Sequence, residues 1–294
     1  MEKRMEVDYV KAVSQFDKAI KKFEVKRIIY RSLFKAKGLE FDSYRTFDAD
    51  DDASRIDWKA SLRSNDLLVR SYVEESDLNV YFVVDVSSKM LFGSGKKLKA
   101  EYAAEALIAL SHLVLDSDDN PGVIMFSDQA IKILMPSRSR NQLRIMAKFL
   151  SDPELYGGDF NFKNAIEYVL RTVKSKFSVI IFLSDFIHLK SDFERELKLL
   201  TAKFETIAFM IRDPIDDRMP RTSQQFVLED ISSGKQIVVN PSMIAEDYMV
   251  NALRQKNAVK KLLRESGVDI LELHTDNEFV IPVVSFLKSR VGRV

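Results

Sequence analysis

The sequence predicts an α/β protein: an open, doubly wound, mostly parallel sheet covered by helices on both faces. Three observations carry this. From residue 78 onward, short apolar runs alternate with longer runs of helical period, the pattern of parallel strands joined by crossover helices. The run Asn79-Val80-Tyr81-Phe82-Val83-Val84 ends in Asp85 and passes into Val86-Ser87-Ser88; an open sheet presents its ligand groups at the carboxyl end of a central strand in this way. Glycine (9) and proline (7) are scarce among 294 residues, so most of the chain is regular structure.

The elements follow in order. Residues 8–36 read as a helix, with Val10, Val13, Phe16, Ile20 and Phe23 at helical spacing. Its lysines, Lys11, Lys18, Lys21, Lys22 and Lys26, read as a solvated face, the alternative being a basic docking surface. Residues 38–77 are less regular: the acidic run Asp48–Asp52, then Ile56-Asp57-Trp58, then a strand-like Leu67–Val73. Strands are predicted at Leu78–Val84, Gly122–Phe126, Ala130–Met135, Ser178–Ser184, Thr206–Arg212 and Asp269–Leu273. Helices are predicted at Leu98–Leu115, Asn141–Leu150, Phe162–Val173, Asp192–Phe204, Ser242–Ser266 and Phe279–Lys288. Phe226–Leu228 and Lys235–Val239 read as a hairpin across Ser232-Ser233-Gly234. This divides the chain into an N-terminal helical segment (1–37), an accessory β element (38–77) joined by the 226–239 hairpin, and the main domain (78–294).

Composition narrows the function. Lys+Arg (45) and Asp+Glu (44) nearly cancel, which gives no support to nucleic acid or an anionic membrane as the main partner. There is no cysteine, which excludes disulfides, zinc–thiolate sites, cysteine-ligated clusters and cysteine nucleophiles. The first eight residues lack the apolar core of a signal peptide. No apolar stretch approaches the ~20 residues that span a bilayer. A cytoplasmic location is expected.

Several motifs, taken in order, resemble one family. They are Asp50-Asp51-Asp52-Ala53-Ser54-Arg55-Ile56-Asp57-Trp58, then Arg63 and Leu67–Glu74, then Asp85-Val86-Ser87-Ser88-Lys89-Met90. Leu183-Ser184-Asp185, Arg212-Asp213-Pro214, Ser266-Gly267-Val268-Asp269 and Phe286-Leu287-Lys288-Ser289-Arg290 complete the series. The chain resembles domain-of-unknown-function family 58, von Willebrand factor A-like proteins associated with MoxR-type AAA+ ATPases, over roughly residues 38–290. The resemblance implies a von Willebrand factor A-like fold, a metal-ion-dependent adhesion site, and a MoxR-type ATPase as partner, with this chain as its adaptor in a chaperone-like assembly. The departures are specific. Asp50 and Ala53 replace a glycine and a proline, Lys89 stands where the family has its second metal-site serine, and Asp159-Phe160-Asn161 after Gly157-Gly158 lacks the expected threonine.

Two readings of this site stand. In one, Asp85, Ser87 and Asp185, with Asp159 in place of the threonine, hold Mg²⁺, a hard cation that takes about six oxygens; Lys89 and Ser88 face the partner. In the other, the Lys89 ammonium replaces the metal beside two like carboxylates and the chain is a metal-independent scaffold with a vestigial site. A serine hydrolase using Ser87 or Ser88 is the remaining class, but Ser87-Ser88-Lys89 has neither Ser-x-x-Lys spacing nor a Gly-x-Ser-x-Gly elbow. No catalysis is expected. Asp51, Asp52, Arg55, Asp57 and Arg63 read as a structural motif, since the acidic run lacks the central glycine and closing glutamate of a calcium loop. Trp58 reads as a buried packing residue, with a partner anchor as its alternative.

Overall fold

The computed structural model describes residues 5–21, 41–48, 56–64, 66–72, 78–139, 141–187, 189, 192–220, 222, 224–229 and 236–291. These fall into two compact units, residues 35–77 and the remainder of the chain.

The larger unit is built on six strands: β3 (Asn79–Asp85), β4 (Asn120–Phe126), β5 (Ala130–Leu134), β6 (Ser178–Ser184), β7 (Glu205–Arg212) and β10 (Asp269–His274). Their spatial order is β10-β7-β6-β3-β4-β5. All neighbours are parallel except the β4–β5 edge. The chain builds outward from β3 through β4 to β5, then restarts on the other side of β3 with β6. Strand order therefore reverses between β3 and β6, and the crevice outside their carboxyl ends is where ligands of such sheets bind. This is the doubly wound arrangement the alternation predicts.

Helices cover both faces: α3 (Lys99–Leu115), α4 (Gln142–Leu150), α5 (Phe162–Thr172), α6 (Glu194–Lys203), the single turn α7 (Pro214–Asp217), α8 (Pro241–Glu265) and α9 (Val280–Val291). Side chains alternate across a strand, and β3 divides accordingly. Val80, Phe82 and Val84 enter a core shared with α3 and α9, while Tyr81 and Val83 enter one shared with α5 and α6. Strands buried on both faces read as continuous apolar runs, which is why the sequence shows them so plainly.

The N-terminal helix α1 (Tyr9–Lys21) belongs to this unit and packs on α3 and α9. Its buried stripe is Ala12, Phe16 and Ile20, whereas Val10, expected in that stripe, is 65% exposed; the stripe is centred on Phe16, and Val10 falls outside its arc. Phe23, Lys22 and Lys26 lie outside the described residues. Just before α1, the amides of Glu6 and Asp8 donate to Glu101 Oε1 and Glu105 Oε1 at 2.8 and 3.2 Å, tying the chain start to the first turns of α3. The hairpin β8 (Phe226–Glu229) and β9 (Gln236–Val239) forms its own antiparallel ladder.

The smaller unit holds an antiparallel pair, β1 (Phe41–Thr46) and β2 (Leu68–Tyr72), and a short helix, α2 (Trp58–Ser64). Asp57 caps α2: its Oδ1 accepts from the amides of Lys59 and Ala60 at 3.1 and 3.2 Å, satisfying donors a helix start leaves open. Its Oδ2 accepts from Tyr44 Oη at 3.0 Å. Trp58 is not the buried residue predicted: it is the first residue of α2 and 63% exposed. Arg63 is exposed in the last turn. Asp51, Asp52 and Arg55 lie outside the described residues.

Candidate functional site

The site is built where β3 and β6 stop. Asp85 is the last residue of β3 and is buried. Its Oδ1 accepts from the Ser87 amide at 2.9 Å and its Oδ2 from Ser184 Oγ at 2.6 Å. Ser184 ends β6 and also accepts from the Phe186 amide at 3.1 Å. The next residue, Asp185, takes the Ile187 amide on Oδ1 at 2.9 Å. Phe186 follows with φ +51°, a left-handed conformation that a bulky side chain rarely adopts and that turns the chain sharply after Asp185. The facing loop is stitched to β3: the Gly157 amide donates to Val86 O at 2.8 Å and the Ser88 amide to Gly158 O at 3.0 Å. Gly158, at φ +67°, uses the freedom glycine has there.

The two lysines play roles the sequence reading did not assign. Lys89, read either as facing a partner or as the cation beside the carboxylates, lies 3.7 Å from Asp159 Oδ1, with side-chain exposures of 30% and 68%. Lys89 occupies a one-turn 3₁₀ segment, Ser88–Leu91, whose buried member is Met90, and the lysine is left on the outer side. The cation on Asp185 is Lys99, in the first turn of α3: Nζ lies 2.6 Å from Asp185 Oδ2, and both side chains are 3% exposed. Lys99 also reaches Asp216 Oδ2 at 3.3 Å. Asp216 accepts from the Asp213 amide at 2.9 Å. Asp213 in turn is held by the Ser94 amide, Ser94 Oγ and Thr275 Oγ1 at 2.9, 2.5 and 3.1 Å. Arg212, buried beside them, donates to Gln255 Oε1 at 3.3 Å.

The electrostatics follow from burial. Burial, reinforced by Asp185, pushes the Asp85 carboxyl up to about 7, against the Ser184 hydroxyl, the nearby Ser87 hydroxyl and the Ser87 amide. Burial pushes Lys99 down, but Asp185 and Asp216 outweigh it and hold the ammonium above the usual lysine range. Burial also pushes Asp216 up despite Lys99. Asp213, despite burial, is held low by the hydrogen bonds from Ser94, Ile215 and Thr275.

A pH dependence follows. The unfolded Asp85 carboxyl ionises near ~3.9 and the folded one near 7. Between those values only the folded state keeps its proton, so stability falls as pH rises across that window and levels off above it. We expect the melting temperature of metal-free protein to fall between pH 5 and pH 7 and Asp85→Asn to flatten the decline, as differential scanning calorimetry with chelator present would show.

Whether these residues suit a hard cation is answered by Ser87. Its Oγ is wholly buried and makes no hydrogen bond of good geometry among the described residues, although such groups are nearly always satisfied and it lies close enough to Asp85 to help hold that carboxyl down. An unpartnered hydroxyl beside a carboxylate is an oxygen donor pair of the kind Mg²⁺ takes. Charge agrees in direction: among the described residues Asp85 and Asp185 are buried close to one another, and the one ammonium bonded to either, Lys99, is on Asp185. Asp85 and Ser87 fit such an ion; Asp185 already has a counter-charge, and Asp159 stands at the surface.

Comparison with known proteins places this architecture. Residues 43–258 match the family described as protein of unknown function DUF58. The chain belongs to this family. Among DUF58 relatives, the uncharacterized protein Rv1480 of Mycobacterium tuberculosis is 26% identical over 88% of this chain and 81% of its own. Among solved structures, the conserved hypothetical protein BatB of Bacteroides thetaiotaomicron has a TM-score of 0.50 at 15% identity, covering 73% of this chain and 99% of that one. The SpRpn10 VWA domain is similar at a TM-score of 0.39 and 12% identity, over 71% of this chain and 94% of its own. Among the described residues no helix is long and apolar enough to cross a membrane.

Ser184 and Asp213 lie inside motifs that sequence reading marked, without a role. Lys99 was missed. Its signal is local: a lysine at a helix start opposes the helix dipole, and this one is followed by Ala100, Tyr102, Ala103 and Ala104, all buried.

Proposed function

We propose that this DUF58 protein is a non-enzymatic protein-binding module and that the crevice at the ends of β3 and β6 receives a carboxylate of its partner. By family resemblance the partner is a MoxR-type AAA+ ATPase, with this chain as adaptor. The observation that carries the reading is the buried Ser87 Oγ, unpartnered beside Asp85. A purely structural serine there costs stability for no return, whereas a ligand of a bridging Mg²⁺ needs its lone pairs free. Asp85 and Ser87 hold the ion when it is bound, and the ion supplies a positive centre to which a partner carboxylate binds. Ser184 fixes the rotamer of Asp85, and the Gly157–Gly158 loop holds the Ser87-Ser88 turn in place.

Two features support the non-enzymatic part. Among the described residues no histidine or lysine is bonded to Ser87 Oγ, and those are the bases that ordinarily activate a serine. The carboxylate beside it, Asp85, already accepts from Ser184 Oγ and from the Ser87 amide.

A second reading has its own observation. Lys99 meets Asp185 at 2.6 Å and neutralises it without metal, which favours a metal-independent contact through the same crevice. Capture of a MoxR-type ATPase with Mg²⁺ and with EDTA separates the two. The metal-bridged reading expects capture to fall roughly tenfold or more with EDTA, the metal-independent one expects no change, and failure of Asp85→Ala to weaken capture at all contradicts both.

A further inference from the structure

Lys99 is an expensive residue where it stands. Desolvation disfavours its charge, and the α3 N-terminus repels it. Two carboxylates compensate, with Nζ 2.6 Å from Asp185 and 3.3 Å from Asp216. The Phe92 ring closes a further side, its centroid 5.9 Å from Nζ. At the end of β3 the situation is reversed. Among the described residues Asp85 is buried with no basic side chain bonded to it, and Ser87 Oγ makes no hydrogen bond of good geometry. One half of the crevice is thus supplied with a cation and the other half lacks one.

We propose that Lys99 is the resident cation of this crevice: its ammonium occupies Asp185, so that a divalent metal enters only through Asp85 and Ser87 and in competition with Lys99. A divalent ion brought beside a buried ammonium meets a repulsion that low-dielectric surroundings make large. The long lysine stem can shift Nζ from Asp185 toward Asp216, so an ion on Asp85 and Ser87 weakens the Lys99–Asp185 contact and is weakened by it. Lys99 thereby sets the metal concentration at which the site fills. This rests on the reading of the crevice as the binding site.

The test is Mn²⁺ binding, followed calorimetrically, in the full chain. Lys99→Gln is expected to bind Mn²⁺ roughly tenfold tighter than wild type or better, and adding Ser87→Ala is expected to abolish the gain. Equal affinities in wild type and Lys99→Gln, or a gain that survives Ser87→Ala, overturn the proposal. Should Lys99→Gln alone fail to fold, Lys99→Gln with Asp216→Asn preserves the net buried charge while leaving Asp185 bare, and the same gain is expected of it. ATPase capture on the same proteins separates this inference from the reading beneath it. Capture indifferent to Ser87→Ala and Asp85→Ala overturns the binding-site reading even where Mn²⁺ affinity rises in Lys99→Gln. Capture lost in those variants, with Mn²⁺ affinity the same in wild type and Lys99→Gln, overturns the role of Lys99 alone.

Discussion

Replacing Lys99 by methionine is expected to destabilise the protein by about 3–5 kcal/mol, because it leaves buried carboxylates without their counter-charge. The loss comes from Asp185, which shares a wholly buried contact with Lys99, and from Asp216, which is pushed up by burial and held down first by Lys99. Urea denaturation of wild type and variant measures it directly. The matching change at Lys89 supplies the contrast: Lys89 and Asp159 form a partly exposed pair at 3.7 Å, and Lys89→Met is expected to stay within about 0.5 kcal/mol of wild type. Equal effects at the two lysines would mean that the Lys99 pair is solvated.

Phe162→Ala is expected to cost about 3–5 kcal/mol, the range for removing a buried phenylalanine. Phe162 is the first residue of α5, and its ring meets three others edge-on, with centroids 5.0 Å from Phe182, 5.5 Å from Phe186 and 4.9 Å from Phe193. Two of these connect to the site. Phe182 lies within β6, and Phe186 is the strained residue that turns the chain after Asp185. The variant should therefore weaken ligand binding at the crevice as well as the fold. A stability loss near 1 kcal/mol would mean that neighbouring rings refill the space.

The parts of this protein legible in the sequence are those fixed by local pattern. Strands buried on both faces announce themselves as apolar runs, so Asn79–Val84 and Ser178–Leu183 needed no tertiary knowledge. The strand-end aspartates are legible because each follows such a run directly. What the sequence does not carry is which charge meets which. Lys89 is two residues from Ser87 and Lys99 is twelve, and proximity along the chain points to Lys89. The fold decides otherwise: the 3₁₀ turn leaves Lys89 on the outside, while α3 starts at the crevice and delivers Lys99 into it. Trp58 failed for a related reason, since its exposure is set by where α2 places it rather than by its own hydrophobicity. The unpartnered state of Ser87 Oγ is likewise invisible without coordinates, because it depends on the absence of a well-placed donor or acceptor among the described residues around it.

The most direct test of the account is Ser87→Ala, measured for both thermal stability and affinity for a MoxR-type ATPase. Deleting a buried hydroxyl that makes no hydrogen bond of good geometry among the described residues removes a desolvation cost, so the melting temperature is predicted to hold or rise, while affinity falls roughly tenfold or more. Affinity equal to wild type in a well-folded Ser87→Ala protein would contradict the assignment of this crevice as the binding site.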